Sequence, residues 1–197
     1  LAFCFGGAGW GSGAFAAYDA AVARTLVVGG NGGAATNPHL SDVHRLDLSA
    51  ALPAWSSAGA VAPPGYSQSG HVGFYDATSL KTWMFGGLSN PGVSINRLYA
   101  LDAGVAPAQI AEVLLDGAPF PVAWAAAARR GSVGRFYVHG GFEYTLGLAR
   151  ADLFAFDPLP PARWILVIPK GTRPSARCMH TLIHDATEDR MLLYGGQ

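Results

Sequence analysis

The feature that most constrains this chain is a short apolar strand ending in two glycines, repeated at a near-constant interval. It reads Thr25-Leu-Val-Val-Gly-Gly30, Lys81-Thr-Trp-Met-Phe-Gly-Gly87, Arg135-Phe-Tyr-Val-His-Gly-Gly141 and Arg190-Met-Leu-Leu-Tyr-Gly-Gly196. Successive copies lie 57, 54 and 55 residues apart. A fixed period of this size marks a repeat architecture, so the rest of the chain is read in its register. Tyr18-Asp19, Tyr75-Asp76, Arg129-Arg130 and His184-Asp185 fall at one position before each copy, and Asp47, Asp102 and Asp157 lie 55 residues apart. Each full unit then reads as four short strands. In the first these are Ala14–Asp19, Arg24–Gly30, Asp42–Asp47 and a strand opening at Trp55. In the second they are His71–Asp76, Lys81–Gly87, Arg97–Asp102 and Gln109–Leu115. In the third they are Trp124–Arg130, Arg135–Gly141, Asp152–Asp157 and Arg163–Ile168. A half unit follows, Arg177–Asp185 and Arg190–Gly196. Alternating apolar and polar residues over five or six positions argue for strands, and the Gly- and Pro-rich intervals between them for turns. An Asp closing a strand suits the following turn, because its carboxylate accepts nearby backbone N–H groups.

Composition narrows the function classes. Half of the residues are hydrophobic, only 13% are charged, and 26 glycines and 13 prolines fit many tight turns rather than a disordered chain. Thirteen basic residues balance thirteen acidic ones, which leaves no electrostatic footprint for nucleic acid. No apolar run approaches the length of a membrane-spanning helix, so membrane insertion is not expected. No Asn-x-Ser/Thr sequon occurs, which favours a cytoplasmic over a glycosylated setting. The start at Leu1 reads as a trimmed or processed fragment. Cys4 and Cys178 leave one disulfide open, two buried thiols being the commoner outcome, and they make no zinc pattern.

Taken jointly, the strand-plus-diglycine, the polar loop, the third-strand Leu-Asp or Phe-Asp, and Trp55 and Trp164 resemble the kelch motif, from about Ala14 to Gly196. Ile110 near the expected second Trp and Arg129-Arg130 depart from it. The resemblance implies an all-β fold: a kelch-type β-propeller segment with three full four-stranded blades plus a partial blade. The units would be 1–13 (a partial strand and glycine-rich turn), 14–59, 60–117, 118–169 and 170–197. Gly29, Gly30, Gly86, Gly87, Gly140, Gly141, Gly195, Gly196, Asp47, Asp102, Asp157, Trp55 and Trp164 would be structural repeat residues. Three and a half blades do not close a ring, so the remainder would come from more chain or from other chains. A further copy, Phe5-Gly-Gly7, precedes Gly30 by only 23 residues, too few for a whole unit.

Chemistry-bearing motifs are few. Gly9-Trp-Gly-Ser-Gly-Ala14 fits a dinucleotide fingerprint if Ala14–Arg24 is a helix, but that stretch aligns with strands elsewhere. His180 and His184 would be about 13 Å apart on a strand, beyond joint coordination of a metal. His71 and His180 share one repeat position, where the resemblance favours a structural, channel-facing role. No nucleophile elbow is present, and neither catalytic residues nor a metal or other cofactor is expected. Arg129-Arg130 suits either an acidic partner or a turn.

The resemblance places the loops 31–41, 88–96, 142–150, 60–70, 117–122 and 170–177 on one face, where a protein partner would bind. The candidates there are His39, Tyr66, Gln68, Asn90, Glu143, Tyr144, Arg173 and Arg177, since Tyr and Arg are favoured interface anchors. The expected function is therefore a non-catalytic protein–protein interaction scaffold or adaptor. The alternatives are a carbohydrate-active propeller enzyme, a galactose-oxidase-like oxidase or a sugar epimerase, and a structural module completing a propeller with another chain.

Overall fold

The computed structural model describes residues 13–19, 22–33, 39–49, 51–131 and 134–197. Among the described residues every regular element is a β-strand, so the chain has the all-β fold that its period predicts. The first sheet is formed by β1 (Phe15–Asp19), β2 (Arg24–Val28), β3 (Val43–Asp47) and β4 (Ala54–Ser57), paired in chain order. Next come β5 (Val72–Asp76), β6 (Lys81–Phe85), a small hairpin of β7 (Leu88–Ser89) and β8 (Val93–Ser94), then β9 (Leu98–Asp102) and β10 (Gln109–Val113). Strands β5, β6, β9 and β10 make the second sheet. The third repeats the plan: β11 (Ala126–Arg130), β12 (Arg135–His139), the hairpin β13 (Phe142–Glu143) and β14 (Leu148–Ala149), β15 (Leu153–Asp157) and β16 (Arg163–Val167). A final antiparallel hairpin joins β17 (Thr181–Asp185) to β18 (Arg190–Tyr194). All neighbouring strands are antiparallel, and the first strands β1, β5, β11 and β17 lie side by side in that order.

Residues 1–12, which hold Cys4, the Phe5-Gly-Gly7 copy and most of the glycine-rich segment, lie outside the described residues. The helix needed for a dinucleotide fingerprint does not form. Phe15–Asp19 pairs residue for residue with Arg24–Val28 as a strand. Two hairpins inside the loops, β7–β8 and β13–β14, have no counterpart in the strand reading.

The 55-residue register has a backbone cause. The second glycine of the first three copies donates its N–H to a carbonyl in the connection to the next unit: Gly30 to Gln68 at 2.8 Å, Gly87 to Val122 at 2.8 Å, Gly141 to Arg177 at 2.9 Å. Its own carbonyl accepts from Leu40, Ile95 and Arg150. Those residues in turn accept from the N–H groups of Gln68, Val122 and Arg177. Three segments are thus knotted at every junction. The first glycine is held to φ of +60°, +70° and +65° at Gly29, Gly86 and Gly140. A Cβ there would meet the Val122 carbonyl oxygen at 2.6 Å in the second unit and the Arg177 oxygen at 2.5 Å in the third, so only glycine fits.

A second backbone series runs through the residues just before the first strands. Gly70 donates to the Gly13 carbonyl, Trp124 to Gly70 and Met179 to Trp124, at 2.7, 2.8 and 2.9 Å. All four have positive φ, between +52° and +76°, including the non-glycine residues Trp124 and Met179.

The core lies between the sheets. Phe15, Leu26, Val28 and Val43 of the first sheet pack on Met84, Tyr99, Leu101 and Ile110 of the second. Phe74, Trp83 and Phe85 of the second pack on Phe136, Phe156 and Trp164 of the third. The third sheet meets the last hairpin through a thinner cluster, Ala126, Ala128 and Leu182, with Tyr137, Met191 and Leu193 at its edge.

Ion pairs run between units as well. Asp76 of β5 pairs with Arg129 of β11 at 3.6 Å. At the next junction the signs are exchanged: Arg130 donates through Nε to Asp189 at 2.8 Å, and His184 Nε2 lies 3.0 Å from the same carboxylate. Arg129-Arg130 is therefore engaged within the molecule.

Candidate functional site: the loop face

The connections that enter the first strands and the loops that follow the second strands interlock at one end of the sheets. Ser69 bridges to Leu88, and Ala123 to Phe142. Ser94 Oγ accepts from the Tyr144 N–H at 2.8 Å and donates to the Phe142 carbonyl at 3.4 Å, joining the loop of the second sheet to the hairpin of the third.

The eight candidates do not share one environment. His39, Tyr66, Gln68 and Glu143 are buried, so they are not exposed anchors. The junction knot explains two of them. It draws Leu40 and Gln68 together, which places His39 Nδ1 2.8 Å from Ser69 Oγ and lets Gln68 Nε2 donate to the Gly86 carbonyl at 2.9 Å. Tyr66 sits edge-on to Tyr99 at 4.9 Å, and burial raises its phenol pKa. Glu143 accepts from Arg150, whose guanidinium lies 4.0 Å from the centre of the Phe120 ring. Asn90 is half-buried and donates to Ser67 Oγ at 2.9 Å. Tyr144 and Arg173 are exposed. Arg177 is half-buried and donates to the carbonyls of Gly195 and Ser175.

The repeat residues take backbone and packing roles. Asp47 accepts from the N–H of Ser49, Asp102 from Gly104 and Asp157 from Leu159. Trp55 and Trp164 occupy one register, opposite Leu46 and Phe156. Trp164 is buried 4.7 Å from Phe85, centre to centre, whereas Trp55 is 47% exposed.

The sequence reading missed an apolar surface on this face. The hairpin Phe142–Ala149 exposes Tyr144, Leu146 and Leu148. Behind them the Tyr144 ring meets Phe142 at 5.0 Å and Trp124 at 5.3 Å, and Met179, hydrogen-bonded to Trp124, is 54% exposed. The ion pair of Glu143 with Arg150 closes the base of the hairpin, and Ser94 braces its side. The available signal was the run Phe142-Glu-Tyr-Thr-Leu-Gly-Leu-Ala149: apolar positions on both sides of a glycine, as in a hairpin.

A histidine pair was also missed. His139 Nδ1 lies 3.0 Å from His180 Nε2, with the rings edge to face and both buried. One nitrogen donates and the other accepts, which requires the neutral ring at the acceptor. Burial lowers both pKa values, with His180 at about 4, and Arg177 lowers them further. His71, at the register of His180, is also held at about 4 by burial. Among the described residues no three or more His, Cys, Asp or Glu side chains are grouped to hold a metal, and no helix is long and apolar enough to cross a membrane.

No family model and no curated protein matches this sequence. Among solved structures the chain is similar to YjhT, with a TM-score of 0.72 and 16% identity over 94% of this chain. The match covers 58% of YjhT, so the chain spans under two thirds of that protein's length. At this identity the likeness shows the fold alone.

Proposed function

We propose that this chain is part of a kelch-type β-propeller that binds a protein partner through its loop face, without catalysis. In this reading each four-stranded sheet is a blade, with its first strand innermost. The meander order, the side-by-side first strands and the recurring diglycine knot support it. The observation that carries the binding role is the braced hairpin, with Tyr144, Leu146 and Leu148 exposed beside Met179. Contiguous apolar surface of this kind marks interaction sites, and bracing lowers the entropy cost of docking.

The test is capture of a protein partner. Tyr144→Ala and Arg173→Ala are expected to weaken capture by about tenfold each, in line with a cost of about 1–2 kcal/mol for an interface anchor, while thermal unfolding stays unchanged. Full capture by both variants removes the assignment.

A second reading, assembly with a further unit of the same kind, is favoured by Gly195. It has the φ of its three counterparts, +71°, yet a Cβ there meets nothing within 4 Å, whereas theirs meet the next unit's carbonyl. The mass in solution tests whether another chain supplies that unit. A monomer at all concentrations argues against it.

A further inference from the structure

We infer that the partner segment recognised at the loop face is acidic, with an apolar residue that seats on the Tyr144–Met179 surface. This deepens the loop-face reading and rests on it. The chain carries no net charge, but its charges are not evenly spread. Between Asp157 and Asp185 there is no Asp or Glu, while Arg163, Lys170, Arg173 and Arg177 all fall there. Three of those cations belong to the connection that leads directly to Met179.

That connection borders the apolar surface. The Arg177 N–H donates to the Arg150 carbonyl, at the end of the exposed hairpin, and Met179 is bonded to Trp124 beneath Tyr144. Arg173 lies four residues before Arg177, within about 13 Å along an extended chain. Most arginines outside this stretch are matched by carboxylates, as at Arg97–Glu112 and Arg135–Asp157, although Arg45 donates to the carbonyls of Ala103 and Val105. Arg177 donates only to neutral oxygens, two carbonyls and Ser175 Oγ. Lys170 and Arg173 are exposed and have no carboxylate partner among the described residues. Glu143, the acidic residue of the hairpin, is already neutralised by Arg150. An apolar surface bordered by a connection that carries unmatched cations is complementary to an apolar residue flanked by carboxylates. These charges guide encounter and reject basic segments.

The experiment uses three fluorescein-labelled heptapeptides, each with a central Phe flanked on both sides by three Glu, three Ser or three Lys. Anisotropy titration is expected to show the Glu probe binding at least tenfold more tightly than the Ser probe, and the Lys probe not binding. Raising salt from about 50 to about 500 mM should weaken the Glu probe severalfold. The double variant Lys170→Glu/Arg173→Glu should lose tenfold or more for the Glu probe, and Tyr144→Ala should lower both the Glu and the Ser probes. These are exposed loop and hairpin positions, and an unchanged thermal midpoint checks that each variant is folded. Equal binding of the Glu and Ser probes, or Glu binding that survives the double charge reversal, overturns the inference. If it is overturned while Tyr144→Ala still weakens capture of a protein partner, the loop-face reading stands and only the acidic partner falls.

Discussion

The junction between the second and third sheets is filled with rings, and the junction between the third sheet and the last hairpin is filled with small side chains, a histidine pair and ions. In the first, Phe156 is fully buried, with its ring centre 5.0 Å from Trp83 and 5.1 Å from Trp164, and Phe74 stacks on Phe136 at 4.5 Å. In the second, Leu182 meets two alanines, His139 meets His180, and Arg130 meets Asp189. Yet the backbone knot is the same at both, through Gly87 and Val122 in one and Gly141 and Arg177 in the other. The period is therefore set by main-chain sterics and hydrogen bonds, and the strength of each junction by what fills it. Burying one large apolar side chain contributes roughly 1.5–3 kcal/mol, whereas an exposed ion pair contributes about 0–1 kcal/mol.

The largest expected effect is at the aromatic junction. Phe156→Ala should cost about 3–5 kcal/mol in urea unfolding, and Leu182→Ala, at the edge of the thinner cluster, about 2 kcal/mol. Equal losses would break the comparison. Hydrogen exchange sharpens it: amides of β17 and β18 should exchange faster than those of β12 and β15, because local opening starts where few apolar contacts hold.

Acid should act next. Buried neutral His71 and His180 have folded pKa values of about 4, below the ordinary value of 6.5. The unfolded chain thus binds more protons between these values, so stability is complete above pH 6.5 and falls as pH drops toward 4. The paired His139, lowered in the same direction, adds to this at the last junction. His180→Gln should flatten the pH dependence of the unfolding midpoint between about 4 and 6.5. An unchanged slope would remove the histidine pair from the account.

The smallest effects belong to the ion pairs. Arg129→Ala strips a cation from the buried Asp76, which still accepts from Thr78 and Ser79, and should cost about 1 kcal/mol in urea unfolding. Arg130→Ala touches a more open pair and should leave the unfolding midpoint within error. A larger loss for Arg130 than for Arg129 would mean that ions, not packing, hold the last junction.

These contrasts also explain what was readable beforehand. The diglycines announce the register because a backbone clash tolerates no other residue, and a steric rule is visible in one dimension. Strand ends are visible for a similar reason, since Asp47, Asp102 and Asp157 bond within their own turns. The meeting of His139 with His180, 41 residues apart, depends on how two units pack, and no local pattern records it. The loops misled in the opposite sense. His39, Gln68 and Glu143 read as partner-binding residues of the loop face, but the knots and the Arg150 pair fold them inward. What stayed outside was apolar, at Leu146, Leu148 and Met179.

The series Gly13, Gly70, Trp124 and Met179 joins neighbouring units by main-chain atoms alone. Its bonds involve no side chain; the Trp124 ring packs over Gly70, whereas the Met179 side chain is 54% exposed. Attachment and display are therefore separable at Met179. A residue that tolerates a left-handed backbone can be installed at the exposed position 179 to rewrite the surface while the stitch remains intact. The molecule thus offers a position for engineered recognition where the scaffold does not have to be re-solved each time.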